Sequence, residues 1–224
     1  MISVAIDGPA GAGKSTISKA AAKKLGFIYV DTGALYRAVG LKFSRCGVDT
    51  NLNCDIKKIL RDTNVDIRFV DGEQRVFLDC EDVSTEIRTP AASMMASAVS
   101  TRPEVREFLL EMQRKLAQNN NCIMDGRDIG TVVLPNATVK IYLTASAEDR
   151  ARRRYRELCE KGQSVNYEDV YNDMVERDYK DMHRQIAPLK RADDAVLADT
   201  TGMEFEQSLA LVLDIIKKGI EGKK

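Results

Sequence analysis

Eight residues near the amino terminus, Gly8-Pro9-Ala10-Gly11-Ala12-Gly13-Lys14-Ser15, follow the spacing G-x-x-x-x-G-K-[ST] in full, directly after the apolar run Val4-Ala5-Ile6. No other feature constrains the fold as tightly. Such a loop works only between a buried strand and the start of a helix, where backbone N–H groups and the helix's positive end surround a nucleotide's phosphates. Thr16 to Leu25 supplies the helix, with Ile17, Ala20, Ala21 and Leu25 on one side, and Gly26 is a natural stop. Within this loop Lys14 is expected to reach the β- and γ-phosphates, and the Ser15 hydroxyl to hold Mg2+ together with nucleotide phosphates and water.

Composition narrows the function. The 224 residues can bury one substantial core, so one principal α/β domain with small insertions is expected. Lysine plus arginine equals aspartate plus glutamate at 34 each, which argues against a protein that coats nucleic acid. No apolar run approaches the roughly 18 residues that span a bilayer. The sequence opens on a core strand, with no room before it for a secretory signal. Cys46, Cys54, Cys80, Cys122 and Cys159 are widely spaced and never form C-x-x-C. They read as small buried hydrophobes in a reducing compartment rather than as disulfides or zinc ligands. The expectation is a cytoplasmic monomer with neither a nucleic-acid nor a membrane partner. His183 is the only histidine; in a highly charged helical stretch it reads as an exposed polar residue, not as the base of a nucleophilic triad.

Along the chain, strands and helices alternate. Phe27 to Val30 reads as a second buried strand, followed by a helix from Ala34 to about Phe43 and a short one from Asp55 to Arg61. Val65 to Val70 and Arg75 to Asp79 alternate in polarity around the turn signal Asp71-Gly72, a hairpin too polar for the main sheet. Thr89-Pro90 opens a helix to about Val99, and Pro103 opens another to about Gln118. Cys122 to Met124, Val139 to Leu143 and Ala195 to Ala198 are further strands. Ser146 caps an arginine-rich helix ending near Gly162, Asn166 begins a long helix to about Arg184, and Glu204 to Lys218 closes the chain. The pattern predicts a parallel sheet covered by helices on both faces.

Charged residues collect at predicted strand ends. Asp125-Gly126-Arg127-Asp128 follows a buried strand at the edge where open α/β sheets bind ligands, and Asp31-Thr32-Gly33-Ala34-Leu35-Tyr36-Arg37 follows another. Arg150, Arg152, Arg153, Arg154 and Arg156 read either as a solvated basic face or as a mobile lid over transferring phosphates, with Gly162 as a hinge. Arg177, Asp181 and Arg184 form one helical stripe, either ion-paired among themselves or reading phosphate and ribose.

Taken together, these segments resemble the bacterial cytidylate kinases of the nucleoside-monophosphate kinase family of P-loop proteins. The likeness spans the chain. It rests on Gly8 to Thr16, Asp31 to Arg37, the insertion ending Glu81-Asp82-Val83-Ser84-Thr85-Glu86-Ile87-Arg88, Asp125-Gly126-Arg127-Asp128-Ile129-Gly130-Thr131, Glu176-Arg177-Asp178 and Ala187-Pro188-Leu189. The resemblance implies a core at about 1–61 and 93–224, a monophosphate-binding insertion at about 62–92 and a lid at about 150–162. It implies ATP bound by Gly8, Pro9, Ala10, Gly11, Ala12, Gly13, Lys14, Ser15 and Thr16. Thr32, Ser97, Arg106 and Asp128 would surround cytosine, and Tyr36 would lie near the same edge. Arg37, Arg127 and Arg184 would hold the acceptor phosphate, and Arg177 and Asp181 would reach the ribose. The implied substrates are ATP and CMP or dCMP, and the implied catalytic residues are Lys14, Arg127 and Arg184 with Arg153 and Arg154 of the lid. Thr32 departs from the family, where serine is common.

Elementary chemistry points the same way. A carboxylate suits cytosine's amino donor and a guanidinium its ring acceptors, whereas uracil would turn an oxygen toward the carboxylate. An acceptor phosphate is already anionic near neutral pH, so no side chain need remove a proton. A kinase for another small acceptor, such as another nucleoside monophosphate or dephospho-coenzyme A with Asp31 or Asp125 as base, is a second reading. A nucleotide-dependent switch ATPase is a third, opposed by the absence of an N-K-x-D motif.

Overall fold

The computed structural model describes residues 1–70, 73–160 and 162–222. In chain order its elements are β1 (Ser3–Asp7), α1 (Lys14–Leu25), β2 (Ile28–Asp31), α2 (Thr32–Arg45), α3 (Ile56–Arg61), β3 (Val65–Val70), β4 (Glu73–Leu78), β5 (Glu81–Asp82), α4 (Pro90–Val99), α5 (Pro103–Asn119), β6 (Cys122–Gly126), β7 (Val139–Thr144), α6 (Ala147–Glu160), α7 (Tyr167–His183), β8 (Val196–Asp199) and α8 (Phe205–Glu221). The main sheet runs β2-β6-β1-β7-β8 with every pair parallel. Sequence order therefore reverses on either side of β1, and the glycine-rich loop leaves β1 at that switch point, where such sheets bind ligands.

Period-2 alternation builds the layers. Val4, Ile6, Ile123, Ile141 and Leu143 pack against Ile17 and Ala21 of α1 and Leu209, Val212 and Ile216 of α8. The intervening Ala5, Val30 and Met124 face Ile129, Val133 and Ala137 on the other side. A third cluster joins α2, α4 and α5 through Leu35, Val39, Phe43, Val99, Val105 and Leu109, and takes in Val65, Val76, Leu78 and Ile87 from the inserted region. The insertion is thus a separate three-stranded sheet, β3-β4-β5, but it is not detached. Gln74 accepts from Asp31 N (2.8 Å) and donates to Asp31 O (3.3 Å), docking the hairpin on the open edge of β2.

Several boundaries follow their expected caps. Thr89 Oγ1 accepts from Ala92 N with Pro90 at the first helical position, Asn166 Oδ1 accepts from Glu168 N, and Gly26 ends α1 at φ 68°. Others differ. Helix α2 starts at Thr32 rather than Ala34 because the Asp31 carboxylate caps it through Ala34 N. Strands β2 and β8 each sit one residue later than expected. Strand β5, a 3₁₀ turn at Glu86–Arg88 and a π-type turn at Ile129–Val133 have no counterpart in the sequence reading; each is too short to show a period. The Asp71-Gly72 turn lies outside the described residues. The cysteine expectation is corrected: only Cys122 is buried, while Cys46, Cys80 and Cys159 are exposed and Cys54 half-buried, all five as free thiols. Polar helix faces and turns hold the other four. No helix among the described residues is long and apolar enough to cross a membrane.

Candidate active site

The loop between β1 and α1 is held by its backbone and by two distant helices. Gly8 must be glycine, since a Cβ there would stand 1.9 Å from Leu143 O on neighbouring β7. Gly13, at φ 80°, turns the chain into α1. Asp178 of α7 accepts from Ala10 N (3.1 Å), and Arg150 of α6 donates to Ala10 O (2.9 Å) and pairs with Asp178 (2.5 Å). Arg150 and Asp178 are buried. The arginine of the basic helix that meets the loop is therefore Arg150, anchored as structure.

Lys14 is buried and donates to Pro9 O (2.7 Å). Burial, followed by the nearby Arg127 charge, pulls its pKa well down, against Asp125 and Asp7. Ser15 Oγ donates to Asp125 Oδ2 (2.9 Å), and the Tyr29 hydroxyl to Asp125 Oδ1 (3.0 Å). Asp125 is buried at the end of β6, and burial with the charge of Asp31 raises its pKa to about 6. Thr32 Oγ1 donates to Asp125 O (2.7 Å). Its proton is spent inside the protein, so toward a ligand the Thr32 oxygen acts as an acceptor.

Beyond this lies a set of arginines, each steadied by a carboxylate. Arg37 pairs with Asp31 (2.8 Å), Arg127 Nε donates to Asp181 Oδ2 (2.7 Å), and Arg106 pairs with buried Asp128. Arg184 Nη2 stands 3.5 Å from the other Asp128 oxygen. Arg184 lies one residue past α7, and Ala187, in the left-handed region at φ 49°, turns its carbonyl back to accept from Arg184 Nε (2.7 Å). The Ala187-Pro188-Leu189 segment thus orients Arg184. Asp181 pairs across to Arg127 rather than along its own helix. Burial raises the Asp128 pKa and Arg106 and Arg184 oppose it; for Arg127, the Asp181 charge overcomes burial and holds the guanidinium more firmly protonated. The Tyr36 ring lies 5.7 Å from the Arg106 guanidinium. Ser97 is half-buried on α4, and Arg177 is solvent-exposed on α7 within the field of Arg127 and Arg37. Arg37 Nε and Arg184 Nη2 are buried donors with no hydrogen-bond acceptor among the described residues.

Two expected residues lie elsewhere. Arg153 donates to the carbonyls of Thr200 (2.7 Å) and Met203 (3.2 Å) in the β8–α8 loop, and Arg154 pairs with Glu157 one turn along α6 (2.8 Å). Gly162 beyond α6 is in the left-handed region at φ 74°. His183 is exposed and stacked on Tyr179 at 4.0 Å. Residues the sequence did not single out also enter: the Asp7 carboxylate accepts from Ile129 N, and the Tyr29 hydroxyl bonds Asp125. A charge at the end of the apolar run, as at Asp7, is a signal that could have found it.

A parallel sheet with its glycine-rich loop at the central switch point, helices on both faces and cations converging on that edge defines a P-loop nucleotide-binding protein of the small-kinase type. The chain belongs to the cytidylate kinase family, whose profile matches residues 4–218. It is 51% identical over 222 residues to a cytidylate kinase of Caldicellulosiruptor bescii, covering 99% of this chain and 98% of that one. It is 52% identical over 219 residues to that of Caldicellulosiruptor saccharolyticus (98% and 97%) and 46% over 218 residues to that of Lactobacillus johnsonii (97% and 95%). Among solved structures, a gluconokinase from Sinorhizobium meliloti shares the fold at TM-score 0.51 and 12% identity, covering 99% of this chain and 94% of that one. An uncharacterized protein from Eubacterium ventriosum does so at 0.53 and 13% (99% and 98%).

Proposed function

We propose that this protein transfers the γ-phosphoryl group of ATP to CMP and dCMP, giving ADP and CDP or dCDP. One observation carries the reading: Lys14 of the donor loop lies in the field of Arg127 and Arg177, and Arg37 and Arg184 beside them each keep a buried N–H without an acceptor. Such a crowd of cations is built for two polyanions meeting end to end. Arg106 and Asp128 form the base-reading wall, with Thr32 and Ser97 around it and Tyr36 near the same edge. The Asp128 carboxylate accepts from cytosine's amino group, and uracil at the same place leaves it facing an oxygen.

An oxygen of the CMP phosphate attacks the γ-phosphorus as the bond to the ADP oxygen breaks. The nucleophile is already anionic, and no side chain takes a proton. Lys14 follows the developing charge on the donor side, while Arg37, Arg127 and Arg184 hold the acceptor in line. Arg177 and Asp181 stand toward the ribose. Mg2+, when bound with ATP, neutralises phosphate charge. The hard oxygens of Ser15 and Asp125, 2.9 Å apart, fit it, and phosphates and water would complete the shell. Closure of α6 about Gly162, bringing Arg153 and Arg154 over the phosphates, would exclude water; it requires Arg153 to leave Thr200 and Met203. The protein acts as a cytoplasmic monomer in this reading.

The test is ADP release with ATP and Mg2+ across CMP, dCMP, UMP, AMP and GMP. The expected order places CMP and dCMP well above UMP, with purines inactive; no CDP from CMP would end the proposal.

A further inference from the structure

Asp7 is the last residue of β1 and directly precedes the phosphate loop. Its side chain is buried, and each oxygen accepts one backbone N–H from the acceptor side: Oδ1 from Ile129 (2.7 Å) and Oδ2 from Gly130 (2.7 Å). Those two amides follow Arg127 and Asp128 without a gap, and they open the π-type turn at Ile129–Val133. One side chain therefore ties the root of the donor loop to the segment that carries the acceptor-phosphate arginine and the base-reading carboxylate. β1 and β6 already pair in parallel from Ser3↔Cys122 to Asp7↔Gly126. That ladder ends where the Asp7 carboxylate takes over, so past Gly126 the tie replaces sheet pairing.

We infer that Asp7 is a positioning residue which sets the donor loop against the Arg127-Asp128 segment and holds Asp128 in its base-reading place. This deepens the proposed activity and rests on it. The tie is not a gain in stability alone. Among the described residues the carboxylate has no cationic partner at hydrogen-bond distance; the charge of Asp128 works against its ionisation and that of Lys14 in its favour. Two charge-assisted bonds to consecutive amides compensate a buried carboxylate only in part. The neighbouring geometry is tight enough for a second handle on the same bonds: a Cβ at Gly130 would sit 3.3 Å from Asp7 Oδ2 and 3.2 Å from Lys140 Cδ.

The experiment is Asp7→Asn, which keeps the shape but turns an amide donor toward one N–H. With CMP as acceptor, kcat/KM should fall toward the roughly 100-fold that an ångström-sized misplacement costs. The CMP-to-UMP ratio of kcat/KM should narrow, while the Kd for ATP stays within about twofold, since the backbone amides of the loop itself are untouched. A merely structural residue would lose CMP and UMP in proportion. Unchanged CMP turnover, proportional loss of both acceptors, or loss of ATP affinity overturns the inference. If Asp7→Asn does not fold, Gly130→Ala should give the same narrowing of the ratio, and an unchanged ratio there counts equally against it. The wild type is run alongside: a wild type that makes no CDP sinks the functional reading itself, whereas an active wild type with a normal variant sinks only the role of Asp7.

Discussion

Lys14 and Asp128 show how single residues here are held in surroundings that disfavour their charge. Lys14 is an ammonium buried among other cations, so replacing it by alanine should abolish CDP formation while leaving the unfolding midpoint no lower than that of the wild type; near-normal turnover would remove the loop from the mechanism. Arg106→Met leaves Asp128 facing Arg184 alone, and the preference for CMP over UMP should weaken by roughly 1–3 kcal/mol, the scale of one bidentate base contact. An unchanged ratio of kcat/KM would take Arg106 out of the base wall. Asp7 gives a pH signature. Burial raises its pKa from 3.8 to about 6, against the Ile129 and Gly130 amides and Lys14 and with the charge of Asp128. The folded protein then holds a proton that the unfolded chain has lost, so this residue's contribution is complete below its unfolded pKa and is lost as pH rises to the folded value. The melting temperature of Asp7→Asn relative to wild type should climb between pH 4 and pH 7 on this arithmetic. A difference that stays flat would show that the carboxylate is not strained by burial.

At the scale of elements, α2 and α4 carry the residues proposed to hold the acceptor. Tyr36 and Arg37 ride on α2 and Ser97 on α4, and the two helices approach closely at Gly40, where a Cβ would come within 2.9 Å of Met95 Cβ and 3.1 Å of Ala96 N. Gly40→Val should destabilise by about 1–3 kcal/mol in denaturant unfolding, the usual cost of overpacking. It should raise the KM for CMP and leave that for ATP alone, because the donor loop hangs on other elements. Thr89, Asn166 and Gly26 were legible as helix boundaries since each acts within its own four residues. The π-type turn at 129–133 was not, because its cause is a carboxylate on a strand more than a hundred residues earlier.

Across the whole molecule, the donor loop is clamped by parts of the chain far beyond it. Arg150 and Asp178 close on the Ala10 peptide from α6 and α7, so Arg150→Met should cost roughly 3–5 kcal/mol, as for a broken buried ion pair, and weaken ATP binding. Equilibrium unfolding and ATP titration of the variant check both; unchanged ATP affinity would make the clamp purely structural. The inserted sheet is fixed in the same non-local way, through Gln74 on the edge of β2. Sequence alone determined the parallel layered fold and the phosphate loop, because strand alternation, helix caps and the loop's glycines act over a few neighbouring positions. It also located the arginine-rich helix but could not divide labour within it: Arg150, Arg153 and Arg154 look alike in the chain. The tertiary structure alone decided that Arg150 bonds the loop while Arg153 bonds the β8–α8 turn, that Asp181 pairs with Arg127, and that Asp7 accepts from the Ile129 and Gly130 amides. Ion pairs and carboxylate-to-amide bonds form between whichever groups packing brings together, and no spacing along a chain encodes that.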